Sequence, residues 1–102
     1  MNDRAREVLV AAALAGHRQI KYFMHFPGDL GDCALGVLHL ALHQTRKEAC
    51  DCMSTRGKST RELQEAYALT RKDYGDITEA NDDLGWDLLT IARKVGVTNE
   101  AE

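Results

Sequence analysis

Two histidines and two cysteines in the middle of the chain have the types and the spacing of zinc ligands. His39 and His43 lie four residues apart, so that on a helix they share one face, and Cys50 and Cys52 follow soon after. Imidazole nitrogen and thiolate sulfur suit tetrahedral zinc, and four such ligands close a structural site. Cysteine is also among the most buried residue types where no metal is present. A zinc site is therefore an alternative prediction. The main prediction is that the protein folds with reduced thiols and without a cofactor.

The segment after the first predicted helix collects cationic, amide, imidazole and phenol groups. Such groups can surround a small anionic molecule, for example a nucleotide-like ligand. An ordinary polar connection between helices is the alternative interpretation of the same segment. The candidate ligand-binding residues here are His17, Arg18, Gln19, Lys21 and Tyr22.

No catalytic residue is predicted from the sequence. Gly57-Lys58-Ser59 matches the end of a phosphate-binding P-loop, but Cys52 stands where the full pattern requires a glycine. Neither a nucleophile elbow nor a helical pair of histidines with a glutamate is found. The protein is therefore expected not to be an enzyme.

Helical periodicity runs through the whole sequence and predicts an all-α fold. Four to five helices are expected to pack around a central apolar helix over about 33–43, because that run is hydrophobic nearly all the way round. Asp32 is predicted to cap this central helix. Asn2 or Asp3 is predicted to cap a first helix that ends at Gly16.

The second half of the chain shows further start and stop signals. Residues 50–58 are expected to form a loop, and Ser59 with Glu62 has the pattern of a capping box. The helix that follows is expected to continue to Gly75. A last helix is predicted over about 86–95.

Composition and charge describe an ordinary globular domain. The 102 residues are 44% hydrophobic and 28% charged, which excludes intrinsic disorder and predicts a single domain over 1–102. Residues 46–72 carry seven basic and four acidic side chains, whereas 73–102 carry two basic and eight acidic. This mixture lacks the concentrated basic face of nucleic-acid-binding proteins. Three cysteines without a secretory signal or a membrane span predict a cytoplasmic protein.

Three short motifs together are similar to those of a known group of proteins. They are D-C-A-L-G-V-L at 32–38, I-T-E-A-N-D at 77–82 and W-D-L-L-T-I-A at 86–92. They resemble an uncharacterised family of small helical proteins encoded by bacteriophages and actinobacteria. That family combines a C-x-L-G-x-L helix, an Asn-Asp pair and an aromatic-x-x-x-x-Ile-Ala helix.

The resemblance implies a compact helical fold and a viral or mobile-element origin, without an established activity. It marks Cys33 and Gly36 as structural motif positions. It also adds Asn81 and Asp82 to the candidate ligand-binding residues. His17 stands where a tryptophan is usual in that family.

The leading functional hypothesis is a phage-type accessory protein that binds a host protein in the host cytoplasm, for counter-defence or host takeover. One alternative is an oligomeric binder that sequesters a nucleotide-like anion, and the other is a structural zinc-binding helical module. A homo-oligomer is predicted, with Tyr67, Tyr74 and Trp86 on the exposed surfaces that associate. Neither nucleic acid nor a membrane is expected as a partner.

Overall fold

The computed structural model describes residues 1–21, 31–53 (without the Met53 side chain) and 57–95. Helices make up most of these residues. The all-α prediction is confirmed: these ranges contain helices and no strand, and Gln19 and Asp32 form one isolated bridge. Six helices are present instead of four to five. They are α1 (Asp3–Leu14), α2 (Ala34–Leu40), α3 (Arg46–Met53), α4 (Lys58–Tyr67), α5 (Arg71–Asp82) and α6 (Leu88–Lys94).

The predicted central helix is α2, in which every residue from Ala34 to His39 is buried. Helices α1, α3, α4 and α5 all contact it, and α1 packs in addition along α6. An apolar run can be buried on all sides only when neighbours cover each of its faces. The fully or almost fully buried side chains that these neighbours contribute include Leu9, Leu63, Tyr67, Ile77 and Ile91.

Side-chain caps explain where several helices begin. Asn2 Oδ1 accepts from the Ala5 amide at 3.0 Å, as predicted for the first helix. At the start of α5 the Thr70 hydroxyl accepts from the Asp73 amide at 3.0 Å, and the Asp73 carboxylate accepts from the Thr70 amide at 3.2 Å. This reciprocal capping box satisfies two amides that the helix itself leaves free.

The prediction was wrong for the stretch between the central helix and α5. Part of the expected 50–58 loop is helix α3, and α4 is capped by the backbone of Gly57 (φ 76°) instead of by a box of Ser59 and Glu62. Ala68 adopts a left-handed conformation (φ 52°) and ends α4, so the expected continuous helix is broken. Helix α5 then runs through Gly75, since its capping box and the burial of Ile77, Ala80 and Asn81 offset the roughly 1 kcal/mol that a helical glycine costs.

The surface predicted for self-association is partly internal. Tyr67 is fully buried, and its hydroxyl donates to the Leu38 carbonyl oxygen at 2.7 Å. Tyr74 and Trp86 are half-buried. Tyr67 therefore belongs to the core and is excluded as a contact between subunits, while the prediction of a homo-oligomer itself stays a prediction.

Within the described ranges, none of the helices combines the length and the apolar character that crossing a bilayer requires.

Candidate metal centre

Four side chains from three helices and the turns after the central helix meet beside its end. His39 lies in the last turn of α2, His43 in the turns that follow, Cys52 near the end of α3 and Glu62 in α4. One donor atom from each of them lies within 4.8 Å of the other three. Two imidazoles, a thiol and a carboxylate are a complete set of the ligand types that zinc uses in proteins.

One carboxylate oxygen, Glu62 Oε1, is the centre of the cluster. It lies 3.4 Å from His39 Nε2, 3.2 Å from His43 Nε2 and 2.6 Å from Cys52 Sγ. Around a tetrahedral zinc, donor atoms are separated by roughly 3.3 to 3.8 Å, as follows from the usual bond lengths. The 3.4 Å distance to His39 lies in this range, the 3.2 Å distance to His43 is slightly shorter, and the thiol needs to move about 1 Å away from the carboxylate.

The burial of the cluster follows from the helices that carry it. His39 is fully buried because it continues the apolar run of α2, and His43 lies one turn further along. The two imidazole rings meet edge to face, with centroids 4.7 Å apart. A buried imidazole requires polar partners, and Glu62, with 30% of its side chain exposed, supplies one.

Burial and the neighbouring Glu62 carboxylate both raise the pKa of the Cys52 thiol. The hydrogen bond from that thiol lowers the pKa of Glu62, against the opposing effect of burial, and contacts with His39 and His43 lower it further. The thiol therefore holds the proton and the carboxylate is ionised. A metal bound here takes the place of that proton on the sulfur.

Of the four metal-ligand candidates named from the sequence, the structure brings His39, His43 and Cys52 together and leaves Cys50 outside the cluster. Cys50 is exposed, whereas Cys52 is 6% exposed. Residues two apart on a helix point in nearly opposite directions, so Cys50 and Cys52 cannot both face the histidines once α3 is helical. Glu62 takes the position that was assigned to Cys50. The sequence contained a signal for Glu62, because this residue directly precedes Leu63, which is buried in the structure. Glu62 was interpreted instead as part of a capping box with Ser59.

The predicted ligand-binding residues after α1 form a hydrogen-bond network with α5. Gln19 Nε2 donates to Asn81 Oδ1 at 2.7 Å and to the Trp86 carbonyl oxygen at 2.8 Å. Asn81 Oδ1 also accepts from the Ala34 amide at 2.9 Å. Asn81 Nδ2 donates to the Ile20 carbonyl oxygen and to Asp82. These amides join α2, α5 and the segment after α1.

The other residues of that predicted ligand site differ in their surroundings. Arg18 and Lys21 are exposed, His17 contacts Asp32, and Tyr22 lies outside the described residues. Gln19, Lys21 and Asn81 line a shallow cavity of about 210 Å³. Because Gln19 and Asn81 use their polar atoms within the protein, their evident role is structural, and binding of an anion here stays a prediction.

We expect Asn81→Ala to lower the free energy of unfolding by about 2 kcal/mol, because it leaves the buried Ala34 amide without its acceptor and removes one of the two acceptors of Gln19 Nε2. Urea denaturation measures the change. Thr78→Ala is the matched control on α5, since Thr78 is exposed and its hydroxyl donates only to the helix's own Tyr74 carbonyl oxygen. Equal losses in the two variants would contradict the structural role of Asn81.

Asp32 has a different role from the predicted cap of α2. The residue at the cap position is Cys33, while the fully buried Asp32 carboxylate accepts from Arg46 at 2.7 and 3.1 Å and contacts His17 Nε2 at 2.6 Å. The neighbouring Gly31 has a φ of 132°, and a Cβ atom there would lie 2.6 Å from the Arg18 carbonyl oxygen. Only glycine allows this close approach, which places Asp32 in the interior.

The two structural motif positions on α2 are buried, as expected. Cys33 is 8% exposed and Gly36 lies within the buried first turns of the helix. Burial raises the pKa of the Cys33 thiol, and the amides of Gly36 and Leu35 oppose this effect without reversing it. Cys33 is therefore a protonated core side chain and lacks the thiolate character of a nucleophile.

No protein-family model, curated protein or solved structure matches this chain.

Proposed function

We propose that this protein is a zinc-binding helical module in which one ion is held by His39, His43, Cys52 and Glu62. The convergence of these four donors within 4.8 Å of one another is the observation that supports the proposal. They come from α2, the turns after it, α3 and α4, so one ion would join three helices. Contacts of this kind stabilise small domains that have a limited hydrophobic core.

The donor set favours zinc over other common ions. Calcium and magnesium prefer sites built from oxygen atoms, and this cluster offers only the oxygens of Glu62. Two nitrogens, one sulfur and one oxygen suit a tetrahedral ion of borderline softness. Because four protein ligands fill a tetrahedral shell, the proposed role of the ion is structural, and the protein acts by binding and without catalysis.

We expect the metal-free protein to bind one Co²⁺ or Zn²⁺ per chain, and Co²⁺ to develop the visible and sulfur-to-metal absorption bands of tetrahedral thiolate coordination. Cys52→Ser removes the only sulfur of the proposed site. It should abolish the sulfur-to-metal band and weaken Zn²⁺ binding by more than about 100-fold, the upper end of what losing an outer-shell partner costs. Absorption spectroscopy and competition with a chromophoric chelator measure both effects.

Cys50→Ser is the matched control, because it removes an exposed thiol from the same helix. It should leave the spectrum and the affinity unchanged. Glu62→Gln should weaken binding, since an uncharged amide replaces the carboxylate. Absence of any tetrahedral cobalt spectrum, or equal losses in Cys50→Ser and Cys52→Ser, would overturn the proposal. Circular dichroism confirms that each variant is folded.

We propose a wider biological role, which is based on the resemblance of the motifs at 32–38, 77–82 and 86–92 to those of the phage and actinobacterial family. In this role the module is a phage-type accessory protein that binds a host protein in the host cytoplasm. The buried motif residues Cys33 and Asn81 support a shared helical fold with that family. If the wild-type protein repeatedly captures one host protein from a host lysate, and no longer captures it after chelation of the metal, the metal site is connected to this role.

A further inference from the structure

Helices α2 and α4 pack together through apolar contacts that do not depend on the metal ligands. Leu38 of α2 and Leu63 and Tyr67 of α4 are fully buried in the main core. The Tyr67 hydroxyl also donates to the Leu38 carbonyl oxygen. His39 and Glu62 therefore keep their positions whether or not a metal is bound.

Helix α3 is attached much more weakly. Its buried side chains among those described are Ala49 and Cys52, and neither of them belongs to the main hydrophobic core. Two small side chains remove little apolar surface from water, and burial stabilises by only about 25 cal/mol per Å². The apolar contribution to the docking of α3 is correspondingly small.

Polar contacts hold the two ends of α3 unequally. At its beginning, Arg46 makes a two-pronged ion pair with the buried Asp32. Near its end, Cys52 Sγ donates to the ionised Glu62 carboxylate. A thiol is a weak donor, so this hydrogen bond holds α3 less firmly than the two-pronged ion pair does. Among the described contacts, the second half of α3 therefore has the weaker polar contact and the features of an element that opens locally.

We propose that metal binding controls the docking of α3, an inference that rests on the proposed zinc site. In the metal-free protein the second half of α3 opens while the core of α2 and α4 stays intact. Zinc would coordinate Cys52 as the thiolate, with the thiol proton released to solvent, and would join α3 to His39, His43 and Glu62. Because the open form lacks the Cys52 ligand, the ion binds the docked form better and shifts the population towards it.

The first experiment compares two equally buried thiols in metal-free Cys50→Ser protein. Cys33 lies in the main core at 8% exposure, and Cys52 lies on α3 at 6% exposure. If α3 opens locally, Cys52 should be alkylated at least about tenfold faster than Cys33, which becomes accessible only when the core opens. Equal rates would overturn the proposal. Peptide mass spectrometry identifies which thiol has reacted.

The second experiment measures hydrogen exchange of the full-length protein with and without Zn²⁺. At a free Zn²⁺ concentration of 100 times Kd, linkage predicts exchange of the amides in the second half of α3 that is slower by up to about 100-fold, the limit reached when the open form does not bind the ion. In the metal-free protein their exchange should depend little on urea, whereas the α1 amides should follow global unfolding. Amides of α3 that exchange together with those of α1 would overturn the proposal.

Failure of this inference is distinguishable from failure of the proposed function. If Co²⁺ and Zn²⁺ do not bind, the zinc site itself is refuted and metal-controlled docking is refuted with it. If zinc binds with the expected spectrum but leaves exchange in α3 unchanged, only the control of α3 is refuted. In Cys52→Ser protein, which lacks the ligand on α3, added Zn²⁺ should not slow the α3 amides.

Discussion

Replacing Asp32 with alanine is expected to lower the free energy of unfolding by about 3 to 5 kcal/mol, the usual cost of removing one partner from a buried ion pair. The Asp32 carboxylate is fully buried and pairs with Arg46 and His17. Without it, the Arg46 guanidinium, whose side chain is 24% exposed, loses the carboxylate that accepts two of its hydrogen bonds. Since small domains have total stabilities of about 5 to 15 kcal/mol, this single change removes a large part of the total.

The matched control for this prediction is Asp51→Ala, which removes a carboxylate from an exposed ion pair. Asp51 pairs with Lys47 on α3 at 3.0 Å, and 66% of its side chain is exposed. Such helical surface pairs contribute about 0.3 to 0.5 kcal/mol. Urea denaturation should show a large decrease of the midpoint for Asp32→Ala and almost none for Asp51→Ala.

If Asp32→Ala lowers the free energy of unfolding by less than about 1 kcal/mol, water replaces the ion pair with little loss of stability, as it does at a protein surface. A second variant, Asp32→Ala with Arg46→Ala, separates pairing from packing. Because it removes both charges, it should be less destabilised than the sum of the two single changes. Additive losses would contradict a direct interaction between the two side chains.

The central helix could be predicted from sequence because its signal is local. The run from Ala34 to Leu38 is apolar without interruption, and burial on all sides is the physical consequence. The cap at Asn2 is equally local, since the side chain and the amide it accepts from are three residues apart. Fold class and the first two elements therefore follow from neighbouring residues alone.

The candidate site could be predicted only in part because it depends on contacts that are distant in sequence. Glu62 lies far along the chain from His39. Which of Cys50 and Cys52 faces these two residues depends on how far helix α3 extends. The pattern of Ser59 with Glu62 matched a capping box, a local role that the tertiary contacts override. Asp32 was misassigned for the same reason, because its partner Arg46 lies on another helix.

The ends of α3 contact two polar clusters. Arg46 at its beginning reaches the Asp32 ion pair, and Cys52 near its end reaches the candidate metal centre. Since the buried side chains described on α3, Ala49 and Cys52, lie outside the main core, we expect these two contacts to contribute much to its docking. Asp32→Ala should therefore also speed hydrogen exchange at the start of α3. A metal bound at Cys52 should slow hydrogen exchange at the end of the helix.

The second large effect is expected for Leu38→Ala, which should lower the free energy of unfolding by about 2 to 5 kcal/mol. Leu38 is fully buried in α2, the helix that α1, α3, α4 and α5 all contact. Neighbours on several sides cannot all move in to fill the space of the lost side chain, so both the transfer energy and a cavity contribute to the loss.

Leu14→Ala is the matched control for Leu38→Ala, because it makes the same chemical change on an 81% exposed side chain in α1. Leucine and alanine differ little in helix propensity, so its effect should stay within about 0.5 kcal/mol. Urea denaturation of both variants, followed by circular dichroism, measures the difference between them. A loss below about half a kilocalorie per mole for Leu38→Ala would show that α2 is not the centre of the core.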